Sequence, residues 1–372
     1  MTPIGRHEAD WEGLAGSALR EALAAATSRR IAAVYLSAFA PGPLCGIRDP
    51  AGRIAKILAA DGQCADVGVH GPFLTGGHAL YRALADLDTG AIDGDALVIG
   101  VEKMTHRSAA EASELLAPRV VHTVEQTHGA TLPALAALAT TAYTREARVP
   151  QAAFDDVAVK SHDHASRNPL AHFQRPITRS DVAHSPLVAD PLRRFHCAPM
   201  SDGASACVIG TDASPGNGIA VRGWAHGRDA SIFHERHNLA RFDAAARAAH
   251  AAFAMAKRTP RDVHMVEIHD AFSPFELMNL EALGFFDRGD AWRALVRGQL
   301  HSGGILAVNP SGGMKARGHP IGVCGLSSLF EVWQQLTGHA GGRQHPGASC
   351  AMIQSAGGVA RDTFVFVVEA SA

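Results

Sequence analysis

Two stretches in the C-terminal third combine residue types that can do chemistry. His269-Asp270-Ala271-Phe272 directly follows an apolar run, Met265 to Ile268, that reads as a strand. Asn309 to Gly325, NPSGGMKARGHPIGVCG, follows a second such run, Ile305 to Val308. Glycines at 312, 313, 318, 322 and 325 allow tight turns and close approach of backbone to a ligand, and they set His319 just ahead of a helix. Histidine titrates near neutrality, so it can act as a base or as a hydrogen-bond donor. Two histidines at strand ends can move a proton and steady the oxyanion that results. A third stretch, Gln354-Ser355-Ala356-Gly357-Gly358, sets a side-chain amide shortly before two glycines.

The elements that must position these groups follow from the hydrophobic pattern. Trp11, Leu14, Ala15, Ala18, Leu19, Ala22 and Leu23 mark one face of a helix. Strands are expected at 31–36, 65–69 and 96–101, and helices at 54–58 and 80–87. The second half repeats this alternation: strands at 265–268 and 305–308, helices at 275–283 and 326–336, then strands near Ala351 and at 363–368. The repeat reads as an internal duplication within an α/β fold built on mostly parallel sheets. The expected boundary separates an N-terminal half, 1–245, from a C-terminal half, 246–372. Within the first, residues 120–195 differ in texture, with an Ala-rich helix from 132 to 143, and read as an inserted loop domain covering one face.

Composition excludes several classes. The 372 residues are 47% hydrophobic and 19% charged, with a net charge of −2. That suits a globular chain with a sizeable core rather than a disordered one. No Lys/Arg run offers a phosphate-tracking stripe, so no nucleic-acid partner is expected. No stretch of about 18 apolar residues suggests a membrane span, and with no leader or peroxisomal tripeptide evident the expected compartment is the cytoplasm. Six cysteines, at 45, 64, 197, 207, 324 and 350, are scattered without a C-x-x-C pair. Cys324 reads as a small packed residue in the first turn of the helix after His319, and Cys350 as a core-strand thiol. Among 21 histidines, the pairs His162/His164 and His234/His237 lack a third ligand at a recognised spacing. They read as solvated loop histidines, and no metal is expected. Asp270 reads as accepting local backbone bonds at its turn, and Asn309 as holding the glycine turn together.

Taken together, HDAF at 269–272, N-x-S-G-G with G-H-P-x-G at 309–322, GVEKM at 100–104, SDGASACVI at 201–209 and QSAGG at 354–358 resemble the thiolase superfamily. The likeness covers essentially the whole chain, and the HDAF form is similar to its sterol-carrier-type and archaeal branches. The resemblance implies a five-layered αβαβα fold from two duplicated halves with an inserted loop domain. It implies a homodimer paired through edge strands of the first half, and, for relatives with HDAF, an accessory protein with a zinc ribbon and an OB fold. It implies no tightly bound cofactor, with coenzyme A arriving as part of an acyl-CoA substrate. His319 then takes the acid/base role, His269 the oxyanion hole, and Gln354 the place of the family's second cysteine. Gly313, Gly357, Gly358 and Asn309 fall to the surface that binds the thioester.

One departure decides the chemistry. The family's nucleophilic cysteine opens a C-x-S-G-G or C-x-S-G-L run at a helix N-terminus, where its pKa is lowered. Laid on Phe73-Leu74-Thr75-Gly76-Gly77, that run puts Phe73 at the nucleophile position. Cys64 lies nine residues upstream, roughly 30 Å along an extended chain, and cannot substitute. Three readings follow: C–C bond cleavage or formation beside a thioester without a covalent intermediate (retro-aldol or decarboxylative); an acetyl-CoA acetyltransferase-type acyltransferase using a displaced thiol; and a non-catalytic acyl-CoA-binding subunit.

Overall fold

The computed structural model describes residues 1–26, 30–60, 62, 67–211 and 218–371. Its strands are β1 (Ile31–Ser37), β2 (Val69–Phe73), β3 (Asp95–Glu102), β4 (Leu187–Ala189), β5 (Leu192–Arg193), β6 (Gly203–Ile209), β7 (Ile219–Arg228), β8 (Met265–Glu267), β9 (Ala307–Val308), β10 (Cys350–Gly357) and β11 (Asp362–Ala370). They form one sheet in the order β2-β1-β3-β6, a second in the order β7-β11-β10-β8-β9, and a β4-β5 hairpin. In the first sheet β1 runs parallel to β2 and β3, and β3 runs antiparallel to β6. In the second, β8 runs parallel to β9 and β10, and β10 runs antiparallel to β11. Order and sense therefore repeat over four strands, β2-β1-β3-β6 matching β9-β8-β10-β11, with β7 added at the β11 edge of the second sheet, as the alternation of apolar segments predicts.

Two helices, Gly76–Asp88 and Leu326–Leu336, occupy the space between the sheets. Leu80, Leu84 and Leu329 pack there with Tyr35 and Val98 of the first sheet and with Ile353 and Phe366 of the second. Helix Trp11–Ala25 covers the outer face of the first sheet, through Leu14 and Leu19 against Leu36 and Ile99. Helix Asp243–Ala256 covers the outer face of the second, and the loop-domain helix Leu132–Ala147 joins the core on that side. The result is the five-layered αβαβα arrangement. It follows from each sheet burying both faces, which is why β3 and β10 read as continuous apolar runs rather than alternating ones.

The structure shifts two boundaries and buries one expected surface pair. β2 spans 69–73 rather than 65–69, while Cys64, Ala65 and Asp66 lie outside the described residues. Only its ends are partly buried and it carries Pro72, as an edge strand tolerates. β7 begins at Ile219 and pairs with β11, so the second sheet recruits chain well before the boundary expected after residue 245; hydrogen bonding, which the sequence pattern cannot show, decides membership. Helix Ala152–Ser166 carries His162 and His164, which are 1% exposed. They are core residues, not solvated loop histidines, because this helix packs inward against the second half.

The sheets are tied at their ends by Glu102. Its buried carboxylate accepts from Phe39 N at 2.8 Å, from Ala40 N at 3.4 Å and, across the middle layer, from Gly322 N at 2.9 Å. A side chain on Gly322 would meet the Ala38 Cα at 2.9 Å, so glycine is required for the G-H-P-x-G loop to lie against the first sheet.

Candidate functional site

β8 stops pairing at Glu267, and side-chain amides take over the ladder. Ile268 N donates to Asn309 Oδ1 at 2.8 Å, on the β9 side, and His269 N donates to Gln354 Oε1 at 2.7 Å, on the β10 side. Asn279 closes the frame, donating to His269 O at 3.2 Å and accepting from Gln354 Nε2 at 3.3 Å. Asn309 sits at φ 49°, its backbone oxygen accepting from the His164 ring at 3.0 Å and its amide donating to Glu276 at 3.2 Å. In this structure Gln354 and Asn309 therefore hold the HDAF backbone in place.

His319 arrives from the opposite side. After the short helix Gly313–Arg317 the chain turns through Gly318 at φ 113°, and His319 N donates to Ser201 Oγ at 3.2 Å, just ahead of β6. The His269 and His319 rings meet edge to face, with centroids 5.1 Å apart. His269 Nδ1 and His319 Nε2 are buried without a hydrogen-bond partner. Burial, with the Arg317 cation second, holds the His319 pKa down to about 4. Burial, the neighbouring His319 and then Arg317 push His269 well below the usual histidine range. Both imidazoles are neutral at pH 7, each able to offer one N–H and one lone pair.

Beneath the pair lies a layer of buried charge that sequence reading passed over. Arg317, fully buried, donates to Glu267 at 3.1 Å, to Ser311 Oγ at 3.0 Å, and to Ser327 Oγ at 3.0 Å on the central helix. Lys160 reaches in from the loop domain to Glu276 at 3.1 Å and to Val308 O at 2.9 Å. A signal existed for Glu267: a carboxylate between Val266 and Ile268 in an apolar strand must be paired. Asp270 accepts not from its own turn but from Met314 N at 2.6 Å. Gly313 makes this approach feasible, since a Cβ there would stand 2.3 Å from the Asp270 carboxylate.

Phe73 ends β2, its carbonyl accepting from Ala38 N at 3.1 Å and its ring packing against His78 at 4.9 Å. Thr75 caps the helix that follows, and Gly77 N donates to Cys324 O at 2.9 Å. Cys324 thus stands between that turn and the histidines. It lies in the turn before helix Leu326–Leu336 rather than in its first turn, because Gly325, at φ 92°, is the N-cap. Burial pushes its thiol pKa far up, and burial likewise raises Cys350 to about 11. Gly357 and Gly358 form the turn from β10 to β11, with Gly358 at φ 62°. Ligand atoms of His269, His319 and Cys324 lie within 4.8 Å of one another, as do those of Asp163, His164 and His301. The latter bring metal-binding residue types together from separate segments, which no local spacing could reveal, although Arg317 and Lys160 stand as cations beside the two clusters. Among the described residues no helix is long and apolar enough to cross a membrane.

The family model for the thiolase N-terminal domain matches residues 1–213, and that for the thiolase C-terminal domain-like region matches 225–370. An acetyl-CoA acetyltransferase of Methanothermobacter thermautotrophicus is 37% identical over 292 residues, 76% of this chain and 74% of that one. The benzoylsuccinyl-CoA thiolase subunit BbsB of Thauera aromatica is 30% identical over 368 residues, 97% of this chain and 93% of its own. The solved structure of the Ltp2-ChsH2(DUF35) aldolase superposes with a TM-score of 0.79 at 20% identity, covering 99% of this chain and 95% of that one.

Removing one partner of a buried ion pair leaves an uncompensated charge and typically costs about 3–5 kcal/mol. Arg317→Met, which strands Glu267, is expected to lower unfolding stability by that amount in urea titrations. A loss below about 1 kcal/mol would show that the pair is not the site's foundation.

Proposed function

The chain belongs to the thiolase superfamily, and we propose that it acts on acyl-CoA thioesters by making or breaking the C–C bond beside the thioester without an acyl-enzyme. The observation that carries this reading is the pair of buried, neutral imidazoles 5.1 Å apart, in a chain with phenylalanine at the end of the strand before the helix where the superfamily's nucleophile is expected. In the retro-aldol direction His319 takes the proton of a β-hydroxyl. The Cα–Cβ bond then breaks, and its electrons pass into the thioester as an enolate. The His269 ring N–H donates to the enolate oxygen, and protonated His319 returns its proton to Cα. No bond to the protein forms at any stage. The aldolase among the structural neighbours and the retained histidines support this direction.

One observation favours a second reading. The Cys324 sulfur lies within 4.8 Å of the imidazole nitrogens, where a displaced thiol would have to be. Against it stand complete burial, a raised pKa and bonds from the thiol to Pro320 O and Met314 Sδ, both at 3.4 Å. We further propose a homodimer joined through β2, whose outer edge pairs with no strand among the described residues, and an accessory subunit. The names of the Ltp2-ChsH2 aldolase and of a thiolase subunit support the latter.

His319→Ala is expected to slow cleavage by about 10²- to 10⁴-fold and His269→Ala by about 10²- to 10³-fold, with CoA affinity kept within a few fold. Because the working form of His319 is neutral and its pKa is lowered to about 4, kcat/KM should hold through pH 5 and fall only near pH 4. An acid limb centred near 6.5, the ordinary histidine value, would contradict the buried-base assignment. Intact-protein mass spectrometry after incubation with acetyl-CoA should show no thiol-linked acetyl group; an adduct at Cys324 that turns over would establish the acyltransferase reading instead. Light scattering at micromolar concentration should return twice the monomer mass, and the monomer mass would overturn the dimer.

A further inference from the structure

A cavity of about 130 Å³ lies between the loop domain and the turn after β10, with Arg119, His122, Glu125, Arg236, Gly358 and Arg361 in its wall. Three guanidinium groups and one carboxylate line it, with Asp229 and Asp362 beside Arg236 and Arg361. The lining carboxylate is already engaged: Glu125 Oε1 accepts from Phe233 N at 2.7 Å, His234 N at 3.2 Å and His234 Nδ1 at 3.3 Å.

Arg236 is the informative residue. It is 7% exposed, its guanidinium lies over the Phe233 ring at 4.9 Å, and one amino group donates to Val359 O. Its Nε has no hydrogen-bond partner, and Asp229 Oδ2 stands 3.9 Å away, beyond hydrogen-bond reach. Asp229 thus balances the cation without bonding to it, and the unpaired Nε–H is left for a further acceptor. Arg361, engaged through Nε with Asp362 at 2.7 Å, and Arg119, bonded to Phe39 O at 3.0 Å, are each tethered at one atom, leaving other N–H groups for a ligand. Planar guanidinium forks of this kind suit the oxygens of a carboxylate or phosphate.

Position selects between those two anions. Gly358 lies four residues beyond Gln354, whose amide touches the His269 backbone, so the separation along β10 is at most roughly 13 Å. That is within reach of the far end of a medium-length acyl chain and short for an extended pantetheine arm. We propose that this cavity receives the carboxylate at the distal end of the acyl chain, so that the favoured substrates are CoA thioesters of dicarboxylic acids. The assignment rests on the acyl-CoA reading above and names its substrate class.

Isothermal calorimetry with CoA, butyryl-CoA and the succinyl-, glutaryl- and adipyl-CoA series tests it without requiring turnover. At least one diacid ester is expected to bind about tenfold to a hundredfold more tightly than butyryl-CoA. Arg236→Met should abolish that preference while changing butyryl-CoA affinity by less than about threefold, and Arg236→Lys should keep part of it. Should Arg236→Met fail to fold, Arg361→Met at the rim gives the same readout. Equal binding of the neutral and diacid esters, or an Arg236→Met loss shared equally by CoA and every ester, would overturn the assignment, the latter by placing a CoA phosphate in the cavity. If no CoA compound binds at all, the acyl-CoA reading itself falls. Glutarate then tests the subsite separately, since wild type must be stabilised by it in thermal unfolding and Arg236→Met must not; equal response of the two overturns the subsite.

Discussion

The buried pair between Arg317 and Glu267 is the contact on which the site is built. Glu267 is the last residue of β8, so the ion pair fixes the point at which the strand gives way to His269. The same guanidinium holds Ser311 in the glycine-rich loop and Ser327 on the central helix. One side chain thus ties the strand carrying one histidine, the loop carrying the other, and the layer shared by both sheets. Such a pair is expensive to desolvate, and its worth lies in the bonds that both terminal guanidinium nitrogens make to Glu267, Ser311 and Ser327.

Its electrostatic effect points the same way as its geometry. Arg317 adds to burial in keeping both imidazoles uncharged, so the ion pair positions the histidines and also sets their protonation. A neutral imidazole can donate to a developing oxyanion without giving up its proton, and a second neutral imidazole beside it can accept one. The backbone around them is held by amides rather than by continued strand pairing. The two imidazoles therefore stand where strand pairing ends while their main chain is held by buried amides.

Much of this was legible in the residues. Helix 326–336 follows from its apolar spacing, and the HDAF and G-H-P segments are placed at strand ends by the apolar runs before them. The meeting of His269 and His319, which follow the neighbouring strands β8 and β9 of one sheet, is what the thiolase resemblance implies. Other features were hidden for physical reasons. An edge strand lacks apolar alternation, so the apolar pattern falls four residues ahead of β2. A three-residue 3-10 turn at Ile321–Val323 and a glycine N-cap move Cys324 out of the helix. Charged residues ordinarily signal surface, so Arg317, Lys160 and Arg236 gave no hint of burial; only tertiary packing puts them inside. The burial of His162 and His164 is hidden for the related reason that a mixed polar helix conceals which face the loop domain turns inward.

The central claim is that two neutral buried histidines alone support an enolate at a CoA thioester. Its most direct test is proton exchange at the α-carbon, followed by NMR with propionyl-CoA in D2O. The account predicts deuterium incorporation into the α-position that depends on His319 and persists when Cys324 is replaced by Ser. Binding of propionyl-CoA with no α-exchange above the uncatalysed background, or exchange that vanishes with the Cys324 thiol, would contradict it.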